Sequence, residues 1–283
     1  MKKIIVIGSS NIDMVVRTSH LPAPGETILG GEFFMNQGGK GANQAVAVKR
    51  LGGNLIFVAK LGNDILGQQS VDYFKKEGID TKYITLDENS ASGANMLLNE
   101  QDVDKVVEEM CEGDILLMQL EIPIQTVEYA ARRAFEKGVK VVLNPAPARS
   151  LPKELLRYLF MITPNRIEAE MLTGIKIVND ADAERVAKEI SAMGVQNIIV
   201  TLGSKGCLVR EGDTSYCVDA FKVEPVDTTA AGDTFNGALC VGLAEGMNLR
   251  QAAVMASKAS SVAVTRMGAQ SSIPHRKELD LNE

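Results

Sequence analysis

The chain has 283 residues, 45% hydrophobic and 23% charged, enough for one large buried core or a core with a small appendage. Its 30 basic and 36 acidic residues leave a net charge of −6 with no basic block, which argues against nucleic acid or an anionic membrane as partner, and no apolar run reaches the length of a membrane span. Cys111, Cys207, Cys217 and Cys240 show neither paired metal-ligand spacing nor a CxxC motif; Cys207 and Cys217 are spaced to face each other across a hairpin, but buried reduced thiols of a cytosolic protein are the expectation.

In chain order, Lys2-Lys3 and the apolar Ile4-Ile5-Val6-Ile7 stop at Gly8, too soon for a secretory signal, and predict a first buried strand at Lys3–Ile7. Asn11 and Asp13 follow its carboxyl end, where open α/β sheets bind ligands, although an isolated Asn-x-Asp is more often a turn. Thr27–Met35 reads as extended and predicts a small β appendage over about residues 13–36. Gly38-Gly39-Lys40-Gly41 lacks the Ser or Thr and the earlier glycine of a P-loop, which excludes that mode of nucleotide binding. Its glycines instead let the backbone approach a small polyol, with Lys40 and Asn43 as donors.

A strand at Leu55–Ala59, a helix at Ile65–Glu77 stopped by Gly78, and a strand at Lys82–Leu86 come next. Strands at Asp114–Met118, Val139–Leu143, Phe160–Ile162 and Asn197–Thr201 then alternate with helical periods such as Gln125–Lys137, whose Val127, Ala130, Ala131 and Ala134 share a face. Gly206–Arg210 and Ser215–Val218 form a late hairpin, and Ala- and Ser-rich helices at Gly232–Glu245 and Leu249–Val264 follow. The alternation predicts an α/β fold with a doubly wound, mostly parallel sheet flanked by helices, as one domain over residues 1–283.

The most informative segment is Val226-Asp227-Thr228-Thr229-Ala230-Ala231-Gly232-Asp233-Thr234. Ala230, Ala231 and Gly232 carry no bulky side chains, so an anion can sit on the unpaired N–H groups of Ala231 through Asp233 at a helix start. Asp233 beside it is placed to take the proton of a substrate hydroxyl, as phosphoryl transfer to an alcohol requires. A lone Asp in a first turn is more often a dipole partner; the run of small residues before this one favours the functional reading.

Asp227-Thr228-Thr229-Ala230-Ala231-Gly232-Asp233-Thr234-Phe235 resembles the C-terminal signature of the ribokinase-like family of sugar and nucleoside kinases. Asn36-Gln37-Gly38-Gly39-Lys40-Gly41-Ala42-Asn43-Gln44, with Gly8–Asp13 upstream, resembles its sugar-binding half, and Gln119–Pro123 and Arg266–Gln270 fit the same family. The resemblance implies an ATP-dependent kinase with a small β lid, acting on the primary hydroxyl of a pentose, D-ribose above all. Another sugar or nucleoside kinase of the family is the runner-up, and a non-catalytic sugar- or nucleotide-binding regulator is the alternative of a different class.

Residue by residue, the family likeness makes Asn11, Asp13, Gly39, Lys40, Gly41, Ala42, Asn43 and Glu121 sugar partners. It assigns Asn165 and Glu168 to magnesium and phosphate, although Asn-x-x-Glu is equally a helix capping box. Thr201, Leu202, Gly203, Ser204, Lys205 and Gly206 are expected to cover ATP, and Ser257 to line the adenine pocket. Asp227, Thr229, Ala263, Arg266, Gly268 and Ser272 are expected to hold a K⁺ ion, mostly through carbonyls. A cytoplasmic homodimer joined through the lid is expected.

One stretch departs from the family. Between Lys82–Leu86 and Gly93-Ala94-Asn95 its members normally carry a hairpin that completes the lid, but here Asp87–Ser92 is too short for two strands and a turn. The favoured reading is a sequence that runs straight across an omitted lid segment, in which case two consecutive residues there stand much farther apart than the ~3.8 Å of a trans peptide. The other reading is a truncated lid, with a half-open sugar pocket, weak sugar affinity and wasteful ATP hydrolysis.

Overall fold

The fold was obtained as a computed structural model, and residues 1–279 are described. In chain order the elements are β1 (Lys3–Ile7), β2 (Asn11–Arg17), β3 (Glu32–Gly38), α1 (Lys40–Arg50), β4 (Asn54–Gly62), α2 (Ile65–Lys76) and β5 (Ile84–Asp87), then α3 (Glu100–Val107), β6 (Ile115–Met118), α4 (Ile124–Glu136), β7 (Lys140–Leu143), α5 (Lys153–Arg157) and β8 (Met161–Ile162). The last third holds α6 (Arg166–Thr173), α7 (Asp180–Ala192), β9 (Asn197–Thr201), β10 (Cys207–Glu211), β11 (Thr214–Val218), α8 (Ala231–Ala244) and α9 (Leu249–Ala263).

Nine strands form one sheet in the order β11-β10-β9-β8-β7-β6-β1-β4-β5, parallel except for the hairpin edge at β10 and β11. Alternate side chains of β1 feed two separate cores: Ile4 and Val6 belong to the one that holds the buried faces of α1, α8 and α9, Ile5 and Ile7 to the one that holds those of α3, α4 and α7. That is why β1 is apolar throughout and why helices cover both faces. Small residues set how closely α8 packs. A Cβ on Gly237 would fall 2.5 Å from the Ala47 Cβ of α1, and one on Gly242 would fall 3.1 Å from Ala252 of α9.

Strand β1 lies between β4 and β6, the point where the chain order reverses, and ligands of such sheets bind outside the carboxyl ends of the strands there. The turns after β1, β6, β8 and β9 all leave from that edge.

β2 and β3 pair only with each other, in register Asp13↔Asn36, Val15↔Phe34 and Val16↔Phe33. The period of two puts Met14, Val16, Phe33 and Met35 on one exposed face and Asp13, Val15, Phe34 and Asn36 on the other. After β5 the backbone turns at Glu88–Asn89 and reaches a short 3₁₀ turn at Ala94–Leu97 with no further strand. Asp64 pins this connection. Its carboxylate accepts from the N–H of Ser92 at 2.8 Å, from the Ser92 hydroxyl, and from the Gly67 N–H that it caps at α2, donors that hold its carboxyl down at about 2.

The thiols depart from expectation in part. Cys207 and Cys240 are buried, but Cys111 and Cys217 are exposed, and Cys217 is opposite Leu208, so Cys207 and Cys217 project from opposite faces of the hairpin. No helix of the described residues is long and apolar enough to cross a membrane.

Candidate active site

The start of α1 is pressed onto the turn that follows β1, and only glycine permits it. A Cβ on Gly41 would lie 2.4 Å from the Ser9 nitrogen; one on Gly39, whose φ is 87°, would lie 2.7 Å from the Asn11 nitrogen. Glu121, just beyond β6, caps this helix start. Its Oε2 accepts from the Lys40 N–H at 2.9 Å and from the Ser9 hydroxyl, which in turn accepts from the Gly41 N–H at 3.2 Å. Asn95 ties Asn11 in place, donating to its Oδ1 at 2.6 Å and accepting the Ser10 N–H at 2.9 Å. Asp13 stands on the lid; partial burial and the Glu121 charge push its carboxyl up. The predicted sugar partners thus gather at one corner, with Ser9 and Asn95 as supports that the sequence did not single out.

Asp233 lies in the first turn of α8, 6% exposed. Asn43 Nδ2 donates to its Oδ2 at 2.8 Å and Gln44 Nε2 to its Oδ1 at 3.0 Å. Burial pushes its carboxyl above the usual range; Lys40 and the two amides pull it back, while the Glu121 charge adds to the rise. Ala230 precedes the helix in the left-handed conformation at φ 59°, the single non-glycine residue with positive φ among those described. That kink turns the first N–H groups outward, but one of them is taken. The Ala231 N–H donates to the Thr228 carbonyl at 3.2 Å, which leaves Gly232 and Asp233, not Ala231 through Asp233, with N–H groups that have no acceptor among the described residues. A Cβ on Gly232 would meet nothing within 4 Å. Ser260 and Asn236 brace the turn from behind by donating to the carbonyls of Ala231 and Gly232 at 3.0 and 2.8 Å.

The two predicted nucleotide loops lie side by side: Asn165 bridges to Thr201, and the Thr201 N–H donates to the Pro164 carbonyl at 2.9 Å. Asn165 and Glu168 form a full capping box on α6, with the Asn165 side chain also donating to Glu168 Oε1 at 2.7 Å. Burial and the Asp233 charge push the Glu168 carboxyl up, against the pull of the Asn165 N–H and Lys40, so Glu168, Lys40 and Asp233 feel one another's charge. Gly203, Ser204 and Lys205 are exposed. Three expected nucleotide residues are turned inward. Leu202 belongs to the core, Gly206 is pressed on the backbone of Val218 and Ala220, and Ser257 is 7% exposed beside the Cys207 thiol, so the three residues offer a nucleotide little surface.

The expected cation loops do meet. Val226 and Asp227 N–H groups both donate to the Val264 carbonyl at 2.7 and 3.2 Å. Asp227 Oδ1 accepts from the N–H and hydroxyl of Thr229, its Oδ2 from the Gly268 N–H at 2.9 Å, and these donors hold its carboxyl below the ordinary range. Ala263 and Ser272 are buried, and the Arg266 side chain turns away to Glu278 at 2.6 Å. A cavity of about 910 Å³ runs between this loop pair and the inner lid face, lined by Asp13, Phe34, Asn36, Asp227, Thr229 and Gly268 among others. Asp233 is not on its wall.

The pfkB family of carbohydrate kinases matches residues 1–114 and 91–276, two pieces that share the region just beyond the short connection after β5. A ribokinase of Haemophilus influenzae is 42% identical over 296 aligned positions, covering 98% of this chain and 97% of its own. Among solved structures, a ribokinase of Thermotoga maritima superposes with a TM-score of 0.87 at 36% identity, covering 99% of this chain and 98% of its own. The structure of an Arabidopsis thaliana ribokinase complexed with ribose and ATP gives a TM-score of 0.90 at 28% identity over 98% and 97%. Matches of that length, in sequence and in fold, leave one assignment: the chain belongs to the pfkB family of carbohydrate kinases.

Proposed function

We propose that this chain transfers the terminal phosphoryl group of ATP to the primary O5 hydroxyl of D-ribose, giving ribose 5-phosphate and ADP. The observation that carries the reading is the pairing of a buried, amide-held carboxylate with two free N–H groups under an open Gly232 face. Asp233 accepts the hydroxyl proton as the oxygen attacks, and the N–H groups of Gly232 and Asp233 receive the charge that gathers on the transferring group. Lys40, without an ion pair among the described residues and electrostatically coupled to both Asp233 and Glu168, is placed to draw the phosphates in. Asn11, Asp13, Asn43 and Glu121 surround the sugar hydroxyls.

Two ions belong to the proposal. Among the described residues no three carboxylate, Cys or His groups cluster around a metal point, which suits Mg²⁺ kept on waters and nucleotide phosphates and reached through Asn165 and Glu168. When bound, Mg²⁺ neutralises phosphate charge there. K⁺ is assigned to the Asp227–Thr229 and Ala263–Ser272 loops, whose joined backbones lead straight into α8. The lid is proposed to be the β2–β3 ribbon alone, the truncated one of the two readings. Its exposed apolar face, Met14, Val16, Phe33 and Met35, is proposed to seat the lid of a second copy in a cytoplasmic homodimer.

The test is ADP release with D-ribose, 2-deoxyribose, fructose and adenosine as acceptors, with mass spectrometry of the product. Ribose is expected to give the highest kcat/KM, and Asp233→Asn to lower kcat by about 10²–10⁴. Preference for another acceptor overturns the substrate; ribose-independent binding without turnover overturns the kinase.

A further inference from the structure

Behind Asp233 lies a chain of uncharged buried side chains that the reaction does not touch. Gln44 and Gln119 are 0% exposed, and Asn144, Thr163 and Asn236 are also buried. Gln44 uses both hydrogens of its Nε2, one to Asp233 Oδ1 at 3.0 Å and one to Asn144 Oδ1 at 3.1 Å, while its Oε1 accepts from Gln119 Nε2. Asn144 donates to the Thr163 carbonyl at 3.3 Å, the Thr163 hydroxyl donates to Asn236 Oδ1 at 2.6 Å, and Asn236 donates to the Gly232 carbonyl at 2.8 Å. The path therefore starts at the carboxylate of Asp233 and returns to the peptide beside it.

We infer that Gln44 and Gln119 are positioning residues for Asp233: Gln119 fixes which end of the Gln44 amide faces the carboxylate, and Gln44 then aims that carboxylate at the acceptor hydroxyl. An amide is nearly symmetric in shape, so packing alone does not orient it. Turned over, Gln44 sets its oxygen against Asp233 Oδ1 and Asn144 Oδ1, two acceptors, and its nitrogen against the Gln119 nitrogen. The Gln119 donor makes that arrangement unfavourable. Gln119 is itself an expensive residue here, because its own Oε1 is buried with no partner, lying where a Cβ on Gly8 would come within 2.2 Å. An apolar side chain of the same length avoids that penalty, so the position keeps an amide for its donor end.

The inference rests on Asp233 being the base. The charged groups that bear on it are Lys40 of α1, Glu121 after β6 and Glu168 of α6; neither glutamine alters those charges.

The experiment compares Gln119→Met, Gln119→Leu, Gln44→Leu and Asp233→Asn in kcat, KM, thermal midpoint and the pH profile of kcat. Gln119→Met is expected to lower kcat about tenfold, a fraction of what a general base supplies, with KM for sugar and ATP within about twofold. The acid limb is expected to move to higher pH by about half a pH unit, because the ionised carboxylate loses part of a hydrogen bond, while the thermal midpoint does not fall. Gln44→Leu is expected to do the same, more strongly. If Gln119→Met destabilises the fold, Gln119→Leu gives a second reading of the same limb. Wild-type kcat with an unmoved limb in either Gln119 variant overturns the inference, as does a loss of kcat that tracks stability with the limb unmoved. Retained turnover in Asp233→Asn overturns the base itself, a separate failure from a dead Asp233→Asn beside normal Gln119 variants.

Discussion

Gly232→Ala should make this protein more stable and much less active. The backbone at Gly232 is not left-handed, and an added Cβ meets no protein atom within 4 Å, so the substitution brings neither clash nor strain. Replacing an unstrained glycine near a helix start by alanine lowers the entropy of the unfolded chain and stabilises by roughly 0.4–1 kcal/mol. In a chain of this size that raises Tm by about 1–4 °C. The same methyl tilts toward the helix N-terminus, into the space over the free N–H groups of Gly232 and Asp233. If the transferring phosphoryl group passes there, at least one donor is blocked, and loss of one such donor costs about 10²–10³ in kcat. The assay is ADP release at saturating ribose and ATP beside a thermal melt of the same preparation. A kcat within threefold of the parent refutes the phosphoryl path, and a Tm lowered by several degrees refutes the reading of Gly232 as conformationally idle.

Gly41→Ala has the opposite character: its Cβ would strike the Ser9 nitrogen at 2.4 Å and the Gly8 carbonyl carbon at 2.5 Å, backbone atoms that cannot swing aside. Helix α1 must retreat by about 1 Å, carrying Asn43 and Gln44 off Asp233, and a displacement of that size is expected to lower kcat about 10²-fold; unchanged kinetics would show that α1 does not set the base. Rates in potassium-free buffer are expected to rise when K⁺ replaces an inert cation at constant ionic strength, with Na⁺ a poorer substitute, and equal rates remove the cation site. With a lid of only two strands, water should reach the phosphoryl group, so ATP hydrolysis without sugar is expected to be measurable and sugar KM high; a sugar-free rate at background shows that the ribbon closes the site.

The parallel strands were legible because each is a short apolar run bounded by turn residues, and their ends fall within a residue or two of the observed ones, except at β4, which runs on to Gly62. β2 and α1 were not. β2 belongs to a ribbon with solvent on one face and an open cavity on the other, so Asn11–Arg17 carries no clean alternation of buried and exposed residues. The glycines at the start of α1 lower helix propensity, yet they are what lets the helix press on the turn after β1. Asp233 and the two loops proposed for the cation stand in contiguous motifs, which is why the sequence singles them out. Gln44, Gln119, Asn95 and Asn236 were missed because their roles come from partners far along the chain, Gln44 from one 189 positions away, and a buried amide leaves no periodic trace.

Two helices present their N-termini to the same corner, and the protein treats them differently. α1 already holds an anion of its own: Glu121 accepts the Lys40 N–H and, through the Ser9 hydroxyl, the Gly41 N–H, which absorbs the positive end of that dipole. α8 holds none. Its Gly232 and Asp233 N–H groups have no acceptor among the described residues, and the carboxylate in its first turn is tied sideways to Asn43 and Gln44 instead of folding back as a cap. Ser260 and Asn236 fix the turn's carbonyls, so the unfilled donors are held rigid. On the proposed mechanism, a phosphoryl group arriving at this corner is therefore repelled by Glu121 at α1 and received at α8, within reach of the base. On that mechanism the same asymmetry sets the direction of the sugar: its reacting hydroxyl is expected to point toward α8, leaving its other hydroxyls to Asn11, Asp13 and the α1 end, where acceptors outnumber free N–H groups.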